Sequence, residues 1–188
     1  MTQATFRPDS LDVRAFAQNA ALLSGTLLLS KLERLAQDIW RQNDDFDTKM
    51  IHWTVRGSSQ PVAGGVAQSW LHLSLDGSVP LQCQRCLTGM EQPIELHRSF
   101  RFVRDETEAN AKDDDAEEDL LVASKQFNLL ELIEDELILA LPFAPAHAVC
   151  PVPVKLLSSS ADFEAALHEK PKAFAALGEF KLGKSGKA

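Results

Sequence analysis

No stretch of this 188-residue sequence approaches the roughly 18 consecutive apolar residues that a membrane helix requires, and no basic region followed by an apolar run opens it. Neither a membrane span nor a secretory leader is therefore expected, and the expected location is cytoplasmic. Cysteine is scarce. Three residues, an odd number with two of them in C-x-x-C, exclude a secreted disulfide framework and leave reduced thiols or a metal. No glycine-rich loop is present to cradle a phosphate, and no Ser-His pair accompanies the carboxylates, so the chain lacks the signatures of nucleotide chemistry or hydrolysis and is expected not to be an enzyme. No repeat of solenoid length occurs. What remains, 45% hydrophobic and 24% charged, is the composition of an ordinary domain large enough to bury its own core.

The formal charge of -8 comes from one place. Residues 105–119 hold nine acidic side chains and one lysine, which leaves 18 acidic residues against 18 basic elsewhere, out of 27 and 19. Low in aromatics and high in like charge, this run is expected to be a disordered loop. The rest of the chain is neutral and could approach RNA without global repulsion, although it carries no strong basic footprint.

The segment from Phe127 to Cys150 organises the fold. Asn128 is placed to cap a helix with Glu131 reaching back to it, and Pro142 ends that helix about three turns later. Leu130, Ile133, Leu137 and Leu141 form its apolar stripe, while Glu131, Glu134 and Asp135 gather on another face. Beyond it Pro142, Pro145, Pro151 and Pro153 hold the chain extended, an arm that carries His147 and Cys150.

Earlier in the chain, a short helix is expected from Ser10, with Asp12 and Arg14 following, to about Ala20, and Leu22 to Leu29 reads as a strand. Ser30-Lys-Leu-Glu33 has the form of a capping box before a helix with Leu32, Leu35, Ala36 and Ile39. Period-two alternation marks strands over Asp47–Gly57, Val66–Leu75 and Ile94–Val103, with a turn at Asp76-Gly-Ser and a misfit, Arg98, among the apolar positions of the last. Leu120–Val122 adds a short strand. These elements predict an α+β fold: a curved, mainly antiparallel β-sheet closed by the central helix, residues 1–157, with a short helical C-terminal appendage. That appendage, residues 158–188, is expected to be loosely attached and to end in a basic tip at Lys181, Lys184 and Lys187.

Three groups of residues could carry function. Cys83 and Cys86 bring two soft sulfurs within reach of one tetrahedral ion, and His147 and Cys150 are the available partners for zinc. The plainer reading is a tight turn with two thiols and a hydrogen-bonded histidine; a redox dithiol is disfavoured because the motif does not open a helix after a strand. Arg85, Arg98, Arg101 and Arg104 suit RNA phosphates, against the alternatives of a solvated edge or pairing with the acidic run. Glu131, Glu134 and Asp135, and Phe174 and Phe180 near the end, are candidates for contact with a protein partner; a solvated helix face is the plainer reading of the three acids. His52, His72 and His97 read as sheet-surface side chains.

C-Q-R-C-L at Cys83 to Leu87, L-I-E-D-E-L-I-L-A-L-P at Leu132 to Pro142, P-x-H at Pro145 to His147 with Cys150, and K-P-K-A-F-A-A-L at Lys170 to Leu177 together resemble the YceD family of bacterial large-ribosomal-RNA-subunit accumulation proteins. The resemblance runs from about Leu11 to the end, and this chain keeps only Cys150 where some relatives carry a fuller cysteine set. It implies a cytoplasmic, non-enzymatic factor for the synthesis, processing or stability of the large-subunit ribosomal RNA. The implied partners are ribosomal RNA or a pre-ribosomal particle. The alternative is an adaptor that recruits a processing enzyme or ribosomal protein without touching RNA.

Overall fold

Ile51, Trp53 and Val55 alternate with exposed neighbours along a strand, and that alternation gives the sheet its one buried face. The computed structural model describes residues 6–40, 48–62, 64–153, 160, 162 and 163, and the chain divides into two units, Met1–Pro151 and Val152–Ala188. In the first unit, strands β1 (Leu22–Leu28), β2 (Met50–Gln60), β3 (Gln68–Gln82), β4 (Gly89–Val103) and β5 (Asp119–Val122) form one open sheet in sequence order. The first three pairings are antiparallel and β4–β5 is parallel, so the fold is α+β with a mixed sheet. Leu71, Leu73, Leu75 and Phe100 join the buried side, together with Phe16 of helix α1 (Val13–Gln18) and Leu129, Ile133 and Leu137 of helix α4 (Leu129–Ala140). Among the described residues no helix is long and apolar enough to cross a membrane.

The opposite face of the sheet is polar. His72 is held between Ser58 and Ser99 at 3.0 and 2.9 Å, and His97 lies 2.9 Å from Ser74, which keeps these histidines at the sheet surface.

Asn128 caps α4 on its own: its Oδ1 accepts from the amides of Leu130 at 3.1 Å and Glu131 at 3.4 Å. The Leu129 amide donates to the carbonyl of Pro8 at 2.8 Å, so three of the four amides that a helix start leaves open are satisfied. Leu11 and Phe127 exchange backbone hydrogen bonds of 2.8 and 3.0 Å and tie the N-terminal segment to the entry of the helix. The buried stripe is rotated from the one expected. Leu130 and Leu141 are only partly covered, and Leu132 at 8% and Glu136 at 5% exposure lie inside instead.

Three local expectations are corrected. Asp76-Gly-Ser is not a turn: it lies inside β3, where Gly77 is paired with Ile51 on one side and Ile94 on the other. A Cβ at Gly77 would fall 2.7 Å from Ile51 Cδ1, so glycine serves a close approach within the sheet. Ser30–Glu33 does not open a helix. A 3-10 turn at Leu29–Lys31 is followed by α2 (Leu35–Asp38), whose start has no cap from its own side chains. The acidic run, expected to be disordered, holds helix α3 (Glu106–Lys112) and a 3-10 turn at Asp113–Asp115. Asp105 caps that helix through the Glu108 amide at 2.9 Å, and Lys112 meets Glu108 at 2.6 Å, so local cap and charge pairing outweigh like-charge repulsion. Arg98 shares the inward parity of Phe100 and, as the misfit suggests, lies on the edge of β4 that β5 leaves unpaired, its side chain about half exposed at 48% and its guanidinium reaching Glu136 of α4.

Gly57 sits where α1 crosses β2. A Cβ there would lie 2.7 Å from both Phe16 Cδ1 and Phe16 O and 2.9 Å from Ala17 Cα, and the backbone atoms cannot rotate away. Gly57→Ala is therefore expected to lower stability by about 1–3 kcal/mol in urea unfolding, the range for overpacking a close contact.

In the second unit the Phe163 amide donates to Ser160 Oγ at 3.2 Å. The expected C-terminal helix with Phe174 and Phe180, and the basic tip, lie outside the described residues.

Candidate metal centre

The turn between β3 and β4 is built to present sulfur. The Cys83 amide donates to Thr88 O at 2.9 Å and the Leu87 amide to Cys83 O at 2.8 Å, closing a tight knuckle in which Leu87 takes a φ of 59°. Pro142 releases the chain from α4, and the arm lies along this knuckle. The Gln84 amide donates to Pro145 O at 2.8 Å, the Arg85 guanidinium donates to His147 O, and the His147 amide points at Cys83 Sγ at 3.5 Å. His147 Nδ1 lies 3.4 Å from Cys86 Sγ. The arm thus folds back onto the C-x-x-C turn, as the spacing of prolines and donors predicts.

Cys83, Cys86, His147 and Cys150 bring one donor atom each into a common space, all within 4.8 Å of one another. A tetrahedral zinc with sulfur ligands at about 2.3 Å separates its ligands by about 3.8 Å, so the four donors need only small adjustments to surround one ion. Cys83 is fully buried, and Cys86 and Cys150 are partly so.

The electrostatics suit a cation. Burial works to raise the Cys83 thiol, but the amides of Cys86, His147 and Arg85 and the His147 ring outweigh it and bring its pKa to about 5. The Thr88 hydroxyl, 3.1 Å away, draws Cys86 down as well. Hydrogen bonding to the Cys83 sulfur, then to that of Cys86, pushes His147 up. Burial and the neighbouring sulfurs of Cys86 and Cys83 push Cys150 up to about 11. Thiolate character is thus concentrated at the turn while the third thiol is held neutral by its neighbours. A divalent ion at the centre would reverse that penalty and deprotonate the third sulfur too. The donor set and its spacing fit zinc.

The remaining candidates sit apart. Arg101 pairs with Glu118 and Arg104 with Asp105 at 2.8 Å, while Arg98 Nε is 3.2 Å from Glu136 Oε2; with Arg85 engaged by His147 O, each of the four arginines has a partner within the chain. Among the helix acids, Glu131 is exposed, Asp135 pairs with Arg34, and Glu134 is 8% exposed. Glu134 Oε1 accepts from the amides of Arg34 at 2.8 Å and Leu35 at 3.1 Å, and Oε2 meets the Arg34 guanidinium at 3.2 Å. It is the cap that α2 lacks, supplied from a hundred residues downstream. Sequence reasoning missed Glu136, although its position seven after Leu129 and three after Ile133 places it on the buried stripe.

The family described as Large ribosomal RNA subunit accumulation protein YceD matches residues 71–181, more than half of the chain. The chain belongs to the YceD family. The match begins within β3 and takes in the C-x-x-C turn, β4, α4 and the arm, so all four candidate ligands fall inside it. By its description, the YceD family has a role in accumulation of the large ribosomal RNA subunit. No solved structure matches the chain.

Proposed function

We propose that this YceD-family chain is a non-enzymatic, cytoplasmic factor in large-subunit ribosomal RNA accumulation that works through protein contacts, with a structural zinc holding its arm to the sheet. The observation that carries the choice of protein over RNA is the engagement of Arg85, Arg98, Arg101 and Arg104 within the chain. Freeing Arg98 would strand the buried carboxylate of Glu136, so phosphate binding there would have to repay a broken ion pair. Four protein donors also make a closed coordination set, the structural type, with no position left for a reacting water.

Filter binding of labelled large-subunit precursor RNA to the full chain, across about 50 to 200 mM salt, tests the reading. Direct contact through the arginines would give saturable binding with a salt slope that falls by about one for each residue replaced. The expected result is no saturable binding at any salt. Tight binding that weakens stepwise with Arg98→Ala, Arg101→Ala and Arg104→Ala would turn the function back to direct RNA contact.

A further inference from the structure

Between α4, β5 and the end of the acidic run lies an open groove of about 570 Å³. Its floor is apolar, with Leu120, Leu132 and Ile138, and its lip is Leu139, 70% exposed although it sits on the helix that supplies much of the core. Its rim is acidic, formed by Asp113, Asp119 and Asp135, the last paired with Arg34, the one basic lining residue, while Glu136 lies buried in its wall. Among the described residues Asp113, Asp114 and Asp115 take part in no ion pair, whereas Asp105, Glu108 and Glu118 of the same run are paired.

One group in the groove is left incomplete by the fold. Glu136 is 95% covered, yet its Oε2 accepts no hydrogen bond. Arg98 Nε, 3.2 Å away, is close enough to pair in charge but badly directed for a hydrogen bond. A buried carboxylate oxygen without a hydrogen-bond donor is uncommon in a folded protein, and a turn of the Glu136 side chain toward the groove would let a cationic donor there complete it. Burial above all, with the nearby charges of Asp119 and Asp135 adding to it, raises the pKa of this carboxyl against the pull of Arg98.

Apolar floor, acidic rim and an unsatisfied buried acceptor describe one kind of occupant. We propose that this groove docks a lysine- or arginine-rich segment of a partner protein, an apolar side chain resting on Leu139 and Leu120 while a cationic head reaches Glu136 and Asp119. The sign of the rim favours a cationic peptide over nucleic acid. The inference rests on the protein-contact reading above and gives it a surface.

Fluorescence anisotropy of the full-length chain with a labelled 12-residue peptide of lysine and leucine at helical spacing tests it, with an oligolysine of equal charge as comparison. The lysine–leucine peptide is expected to bind about tenfold more tightly than oligolysine. Leu139→Ser and Glu136→Gln are each expected to remove about tenfold, the loss of one anchor or one charge-assisted contact. Leu139 is exposed, so its substitution leaves folding intact, and a thermal melt of each variant verifies that. Equal binding of the two peptides, or unchanged affinity in Leu139→Ser, overturns the proposal in favour of diffuse attraction to the acidic run. Self-association of the chain that Leu139→Ser abolishes assigns the groove to a second copy and also overturns it. Binding of a labelled 20-nucleotide RNA that the same substitution removes would do so as well. The RNA titration of the preceding section uses the arginines and not the groove, so the two ideas fail by different results.

Discussion

Serine at both Cys83 and Cys86 is expected to reduce bound zinc from one ion per chain to none and to release residues 142–150 from the sheet. Without a metal the arm is held by a few hydrogen bonds, Gln84 N–H to Pro145 O, Arg85 to His147 O and the contacts of His147 with two sulfurs. Each contributes only about 0.5–1.5 kcal/mol net, against an arm whose Phe143 and Val149 are exposed and anchor nothing. Structural zinc in small peptides is worth about 10–16 kcal/mol, so the ion would supply most of the arm's attachment. The sheet core does not run through the site, and the damage should therefore be local. Elemental analysis should give one zinc per wild-type chain and none in the double variant. Amide exchange at Gln84 and His147, whose N–H groups join the turn and the arm, should rise by orders of magnitude while that of Leu73 and Val55 is unchanged. Cys150→Ser, with three ligands left, should retain zinc more weakly. A wild-type protein purified without stoichiometric zinc, and with the same slow exchange in the arm as the double variant, would remove the metal from the account.

Glu134→Ala is expected to cost about 2–4 kcal/mol although it touches no candidate ligand. The side chain is buried, and its loss leaves the amides of Arg34 and Leu35 without an acceptor in a place water does not reach easily. The Arg34 pairing adds less, because that guanidinium side chain is about half exposed. For a domain of this size the change corresponds to a fall in Tm of about 5–15 °C. Glu134→Gln keeps an acceptor oxygen and should lose roughly half as much. Urea unfolding of both variants measures the difference. A loss in Glu134→Ala below about 0.5 kcal/mol would mean that α2 is capped by something else.

Much of the fold can be read directly. Alternation at Ile51, Trp53 and Val55 marks a half-buried strand, Asn128 and Pro142 bound a helix to within a residue, and Pro145, His147 and Cys150 lead back to Cys83 and Cys86. These are strong because each signal acts within a few residues or belongs to chemistry that needs its partners close. The misses share the opposite character. Asp76-Gly-Ser has the composition of a turn, but the glycine answers to Ile51 on the neighbouring strand. Ser30–Glu33 has the letters of a cap, while the working cap arrives from Glu134. At Arg98 the misfit is legible, but not the Glu136 that α4 brings over it. In each case a local preference of about 1 kcal/mol gave way to a contact with a distant residue, and local pattern does not encode which distant residue arrives.

The bridge between Leu11 and Phe127, with the Pro8 carbonyl facing the Leu129 amide, also sets an order of events during synthesis. The hairpins of β1 to β4 join neighbours in the chain and can form as they leave the ribosome. α1 can cover part of their apolar face at once, but the rest must wait until α4 emerges more than a hundred residues after the segment that receives it. A nascent chain stalled before residue 129 therefore leaves Phe100 and the apolar surface beside it on β4 without the cover of α4, a ready target for chaperones and for aggregation.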